Sequence, residues 1–270
     1  MILQAVLAMY ASLAAGDGRS LSQHDDGRHP HMAGRNRGCS MCTDALRERF
    51  FDVLVSGDRV EARQVVLRAL ETGDTAVDLI TELYWPTYER VEKLYRADHL
   101  SKLSHHYATR LLRVLADQTA GLITPLTNNG RTVILTCGPR DSDDLAGQLA
   151  TDMLFSQGFT VHFGGGGIPN DELLAEIKLR EPSALVMFSS GANDLPFIRE
   201  LIDTVHEGDP EREMQVAVGG GVFNRAEGLA AEIGADLWGD DPLDVVQALI
   251  EEADVRAQPR VRRRRRKNAA

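Results

Sequence analysis

The sequence predicts an α/β protein: a flavodoxin-like, doubly wound sheet of five parallel strands, preceded by an all-α cap of four helices. Two observations carry this. From residue 128 onward, short β-branched runs alternate with amphipathic segments at the spacing of strand–helix units. Before that point, apolar residues recur at helical spacing.

The cap is read over 43–127. Phe50, Phe51, Leu54 and Val55 share one helical face, which ends at Gly57-Asp58. Val60, Val65, Val66, Leu67 and Leu70 form the next stripe, ending near Gly73-Asp74. Leu79, Leu83, Tyr84, Tyr88, Val91, Leu94 and Tyr95 form a third, with Pro86 near its start or at a kink. Tyr107, Leu111, Leu112, Leu115 and Leu122 form the fourth. Four such helices with short links fit a small bundle.

Asn128-Asn129-Gly130 is a turn signal that opens the second part, 128–255. Strands are expected at 132–136, 160–163, 184–188, 215–218 and 236–238. Helices are expected at 143–157, 170–180, 195–205, 226–233 and 243–253. Right-handed crossovers turn this alternation into a doubly wound sheet, whose ligands sit beyond the carboxyl ends of the strands.

The flanks differ in composition. Residues 1–42, crowded with Gly, Asp, Ser, His and Arg over 16–40, read as a disordered leader, with Met41 an alternative start. Its apolar first fifteen residues lack the basic start of a signal sequence. Cys39 and Cys42 form a CxxC below His24, His29 and His31, but a structural zinc site needs a second spaced pair. Residues 256–270 read as a basic disordered tail.

Net charge is −10, and it is unevenly spread. Setting aside the seven positive charges of Arg260, Arg262 to Arg266 and Lys267 leaves −17 on the rest. An acidic body repels nucleic acid, so direct contact with it is expected only through the tail. No apolar run reaches membrane-spanning length. Three cysteines make no even disulfide framework, which points to a reduced, cytoplasmic setting.

The expected carboxyl-edge loops are Cys137 to Asp144, Gly164 to Pro169, Ser189 to Asp194 and Gly219 to Gly221. Small and polar residues thus gather on one rim, as a cofactor crevice requires. No GxxxxGK[ST] occurs, and the glycine runs do not match GxGxxG. Asp141, Asp143 and Asp144 would also repel phosphate unless a cation intervened. They suit a hard cation or simply the start of a helix. Cys137 reads as a small buried hydrophobe.

At these loops the chain resembles the cobalamin-binding family of methionine synthase, corrinoid methyl carriers and light-sensing regulators, and is most similar to the light- and cobalamin-sensing regulator branch. Asp141 matches the first residue of that family's DxHxxG motif, and Gly158-Phe159 the later Gly-Phe pair. Ser189-Ser190-Gly191 matches its SxL region, Gly219-Gly220 its GG segment, and Gly234 to Asp236 its "GAD". Leu83 to Tyr95 is similar to the cap's Pro-containing helix. Tyr95, nine residues, then His105-His106 is similar to the Trp-x9-Glu-His pattern of the photoreceptor branch.

The departures fall at chemically important points. Asp143 stands where the family has its cobalt-ligating histidine, and a carboxylate is a poor substitute for imidazole. Ala146 replaces the last Gly of DxHxxG, and Gly191 the Leu of SxL. Tyr95 replaces the cap Trp, and His105 the Glu.

The resemblance implies a tetrapyrrole held by Asp141, Asp143, Gly165, Ser189, Ser190, Gly219 and Gly220 from the rim and by Tyr95 and His106 from the cap. Three outcomes stay open: a cobalamin that keeps its own base on cobalt, haem bound through a cap histidine with His106 the metal ligand, or no cofactor. Trp85 and Tyr95 also fit plain helix core, and His99, His105 and His106 fit solvated or core histidines.

The expected function is a sensor or regulator, of transcription for example, acting through a protein partner, with oligomers possible. The alternatives are a corrinoid carrier serving methyltransferases and a degenerate interaction module that binds nothing. No self-contained catalytic constellation is readable, which argues against an enzyme.

Overall fold

The computed structural model describes residues 40–208 and 214–256. The basic tail from residue 257, and the leader up to residue 39 with Cys39 and its histidines, lie outside the described residues. Residues 40–42, expected in the leader, belong to the first helix.

The cap holds α1 (Ser40–Ser56), α2 (Arg59–Glu71), α3 (Ala76–Asp78), a π-helical stretch (Leu79–Tyr84), α4 (Trp85–Arg96) and α5 (Lys102–Ala120). Starts are set by side chains. Asp58 accepts from the amides of Val60 and Glu61 at the head of α2, and Thr75 with Asp78 forms a capping box on α3.

The third expected helix is one run of helical residues with a wide turn inside it, and Pro86 explains the turn. It has no amide hydrogen to close onto the preceding turn, and its ring crowds the carbonyl there. The backbone relaxes into π geometry just upstream. Arg47 from α1 then covers the spot: its Nε donates to the Glu82 carbonyl at 2.6 Å, and its Nη2 pairs with the Glu82 carboxylate at 3.0 Å. Arg47→Ala is expected to destabilise the fold by about 1–3 kcal/mol, read as a lower urea midpoint with unchanged slope.

The second half runs β1 (Thr132–Cys137), α6 (Asp141–Ser156), β2 (Thr160–Gly166), α7 (Asn170–Arg180), β3 (Ala184–Phe188), a 3-10 turn (Ala192–Asp194) and α8 (Leu195–Gly208). It ends with β4 (Gln215–Gly219), α9 (Gly221–Asn224), α10 (Leu229–Ile233), β5 (Leu237–Gly239) and α11 (Pro242–Glu251). All strand pairs are parallel, in the order β2-β1-β3-β4-β5. This is the flavodoxin-like sheet the sequence predicts. The direction of winding reverses between β1 and β3, the point where such folds leave a crevice.

Two expectations are corrected. The glycines after residue 163, expected as a loop, extend β2 to Gly166. Pairing with β1 steps from Leu135↔Phe163 to Thr136↔Gly165, so Gly164 is an extra residue. Gly165 absorbs the bulge at φ +73°. The helix expected at 226–233 is shortened to α10 (Leu229–Ile233), and a separate short helix, α9, begins earlier, at Gly221.

Strand alternation sorts the core. Val133, Leu135, Ala184, Val186 and Ala217 join α6, α11 and the cap in one apolar cluster. Ile134, Leu185, Met187, Val216 and Val218 face α7 and α8 in another. The cap therefore shares a continuous core with one face of the sheet. Among the described residues, no helix is long and apolar enough to cross a membrane.

Candidate functional site

Asp143 sits in the first turn of α6, with its side chain turned into the rim. It is buried at 4% exposure, and its Oδ2 has no hydrogen-bond partner. Burial pushes its carboxyl pKa up. Ser190, through hydroxyl and amide, and the Arg140 charge pull it back, while Asp194 pushes it up again. The chain passes close above Gly138, where an added Cβ would overlap Asp143 and lie 2.9 Å from Asp194 Oδ2. Asp194 is held by the Ser189 hydroxyl, which donates to it at 2.8 Å, and Ser189 Oγ accepts from the Gly191 amide at 3.2 Å.

The β4 loop folds against the β3 loop. Val222 N donates to the Ser189 carbonyl at 3.3 Å, and a Cβ on Gly220 would overlap that oxygen. Asp143, Ser189, Ser190, Gly219 and Gly220 are therefore brought together. Gly165 lies at the other end of the rim, where its carbonyl accepts from Thr136 Oγ1 at 2.9 Å and a Cβ would sit 3.2 Å from Asp144. Asp141 meets the cap through its carbonyl, which accepts from Arg113 Nη2 at 3.2 Å.

The cap rests directly on the start of α6. Tyr88, itself buried, donates its hydroxyl to the Ser142 carbonyl at 2.9 Å, next to Asp143. Trp85 Nε1 donates to Asp241 at 3.1 Å, and Arg113 pairs with Asp144 at 2.6 Å. Burial, then Glu92 and Asp143, raise the Tyr88 phenol, so this hydroxyl stays a donor. Glu92 in turn meets His105 Nε2 at 2.6 Å, and Tyr95 stacks on His105 with centroids 4.0 Å apart. His106 meets His105 edge-on at 5.9 Å and makes no side-chain hydrogen bond to the rim among the described residues. Tyr95 is half-buried rather than core. Burial, with Asp144 and Asp143, raises the Cys137 thiol, consistent with its reading as a buried hydrophobe.

Several residues at this rim escaped the sequence reading. Arg140 Nη1 donates to Ser190 Oγ at 3.1 Å, and Arg225 Nη2 donates to the Ser190 carbonyl at 2.6 Å. Tyr88 was visible only as a member of a helical stripe, and Glu92 only as part of the segment from Leu83 to Tyr95. No local signal marks them, because their roles depend on contacts across the chain. A cleft of about 490 Å³ also opens at the β1/β3 reversal, on the face covered by α7 and α8. Thr136, Leu173, Met187, Ile198 and Leu201 wall it. Its residues read as ordinary core in sequence.

The helical half that carries Tyr88, Tyr95 and His106 has known relatives. Residues 46–117 match the family model of the B12 binding domain. The B12 binding domain match covers the cap and stops before the rim. The whole described architecture is similar to the monomethylamine corrinoid protein of Methanosarcina barkeri, at 17% identity and a TM-score of 0.68, over 78% of this chain and 99% of that one. It is also similar to a cobalamin-binding protein of Desulfitobacterium hafniense DCB-2, at 18% identity over 77% and 97% of the chains, with a TM-score of 0.45. A methanol:cobalamin methyltransferase complex from Methanosarcina barkeri matches at 18% identity over 80% and 82%, with a TM-score of 0.42. At such identity the first of these establishes the fold. No curated protein matches the chain.

The donor set decides how a corrinoid suits this B12 binding domain-like cap and rim. At the position of the resemblance's histidine stands a buried carboxyl whose pKa is raised. A carboxyl oxygen is a harder donor than imidazole nitrogen and a poor ligand for cobalt. The rim's side-chain donors here are carboxyl and hydroxyl oxygens, which suit hydrogen bonding to a corrinoid.

Proposed function

We propose that this chain is a corrinoid-binding sensor or regulatory protein: it holds a cobalamin that keeps its own base on cobalt, and reports binding to a protein partner through the cap. The observation that carries this is the Tyr88–Ser142 contact. The cap segment that matches the B12 binding domain closes onto the rim beside Asp143, the residue standing in for the metal ligand. Anything admitted there has to break that contact, along with those of Trp85 and Arg113. Cap closure and cofactor entry therefore compete, which makes the cap a two-state element that a partner can read.

When bound, a corrinoid supplies cobalt–carbon chemistry. This chain's part is to bind and orient. Asp143, Ser189, Ser190, Gly219 and Gly220 would hold the cofactor from the rim, with Asp141 and Gly165 at its two ends. Tyr95 and His106 would cover it from the cap. The partner, the regulatory output and a cytoplasmic setting are part of this proposal.

A second reading, a corrinoid carrier for methyl transfer, is favoured by the fold shared with nearly the full length of the monomethylamine corrinoid protein. One experiment separates the two. The full chain is incubated with hydroxocobalamin, desalted and followed by hydrogen exchange. The sensor reading expects retained cofactor and faster exchange in α4 and the start of α6. Retention with unchanged exchange there favours the carrier. No retention overturns both.

A further inference from the structure

Three guanidinium groups converge on the rim around Ser190, and one of them, Arg140, also feels the Asp143 carboxyl. Arg140, just before α6, lies over Gly191: a Cβ there would overlap the guanidinium, with Cζ and Nη2 both at 2.7 Å. Arg225, just after α9, bonds the Ser190 carbonyl at 2.6 Å. Arg96 closes the group from the end of α4. A Cβ on Gly221 would lie 2.9 Å from Arg225 Nη1, 3.8 Å from Arg96 Nη1 and 3.8 Å from Ser190 Cβ. All three side chains are exposed, and none forms an ion pair among the described residues.

Such convergence is unexpected in a chain with 40 acidic and 30 basic residues. Like charges gathered around one loop repel, and a bound anion relieves that repulsion. The replacements around the loop are also coordinated. Gly191, where the resemblance has Leu, opens the space that Arg140 fills, and Arg140 lies in Coulomb reach of Asp143, where the resemblance has His. The Ser190 hydroxyl and carbonyl hold two of the guanidiniums toward the same loop. Planar guanidiniums are suited to bidentate recognition of oxyanions, and phosphate is the group most often met by several of them.

We propose that Arg96, Arg140 and Arg225 form a binding site for a dianionic phosphate group at the junction of cap and rim. Two of its arms come from rim loops and the third from the cap, so an occupied site ties the end of α4 to the β1 and β4 loops. The inference does not depend on a corrinoid, because every group it uses belongs to the chain.

The test uses the full chain with no corrinoid present. Inorganic phosphate and a phosphomonoester, glycerol 3-phosphate, are titrated by calorimetry and thermal unfolding at constant ionic strength, with acetate as the monovalent control. Saturable binding of phosphate and not of acetate is expected, with a rise in the unfolding midpoint. Arg225→Gln and Arg96→Gln should each weaken it about tenfold, the loss of one charged hydrogen-bonding partner. Arg140→Lys, which keeps the charge but not the fork, should weaken it less than Arg140→Gln. Tighter binding of the ester than of free phosphate would identify a phosphometabolite as the source. No saturable phosphate effect, or an equal effect in the triple Gln variant with unchanged circular dichroism, overturns the proposal.

Discussion

Gly220→Ala is expected to destabilise the folded chain by about 3 kcal/mol, combining positive-φ strain with overpacking. Gly220 has φ +102°, a region costly for any residue with a Cβ. An added methyl would also overlap the Ser189 carbonyl and lie 2.9 Å from both Ser189 C and Ser189 N. These are backbone atoms fixed by the ladder, since Ser189 N donates to Gly219 O at 3.0 Å. Neither strain nor overlap can relax without parting the β3 and β4 loops. Urea denaturation reads the loss directly. A variant as stable as the parent would mean that the two loops are not packed as described. The result also separates two roles for this glycine. Sequence reasoning assigns it to ligand approach, whereas the geometry already requires it for the approach of one loop to another.

Asp152→Ala is expected to stabilise the protein at pH 8 by about 2 kcal/mol, and to change it little near pH 4. Asp152 lies in α6 with an unpartnered Oδ2. Burial, then the neighbouring Asp117, push its pKa from 3.8 up to about 7. The folded state therefore holds this proton to higher pH than the unfolded state does. Stability falls as pH rises between about 4 and 7, because ionising the folded chain's carboxyl costs free energy that the unfolded chain escapes. A shift of this size corresponds to about 4 kcal/mol at most, halved here for partial solvent access. Removing the carboxyl removes the slope. Midpoints measured from pH 4 to 8 check this, and parallel curves for parent and variant would refute it.

The strand–helix alternation was legible because each unit carries its own signal: a β-branched run at 132–136, a short apolar run at 184–188, and amphipathic stripes between them. The end of β2 was not. Glycine has poor strand propensity, and only the neighbouring β1 holds Gly164 to Gly166 in the sheet. The π stretch before Pro86 was half legible, since proline announces a break but the partner that covers it, Arg47, is 35 residues from the Glu82 it meets.

Among the site residues, the rim set Asp143, Ser189, Ser190, Gly219 and Gly220 could be gathered from order and spacing, because loops that follow parallel strands share an edge by topology. The arginines could not. Arg96, Arg140 and Arg225 lie in three different elements or loops, and nothing local distinguishes them from solvated surface. The pairing of His105 with Glu92 is of the same kind. It joins α5 to α4, and gives a histidine that read as solvated or core a carboxylate partner 13 residues away.

The central proposal is that a bound corrinoid keeps its own base on cobalt, because the rim offers Asp143 rather than an imidazole. The most direct test is electron paramagnetic resonance of the cobalt(II) form bound to protein uniformly labelled with nitrogen-15. Splitting by the unlabelled cofactor nitrogen, a triplet pattern, is the predicted result, and it should persist in Asp143→Ala. A doublet pattern from the labelled protein, lost in His106→Ala, would contradict the account and move the metal ligand to the cap.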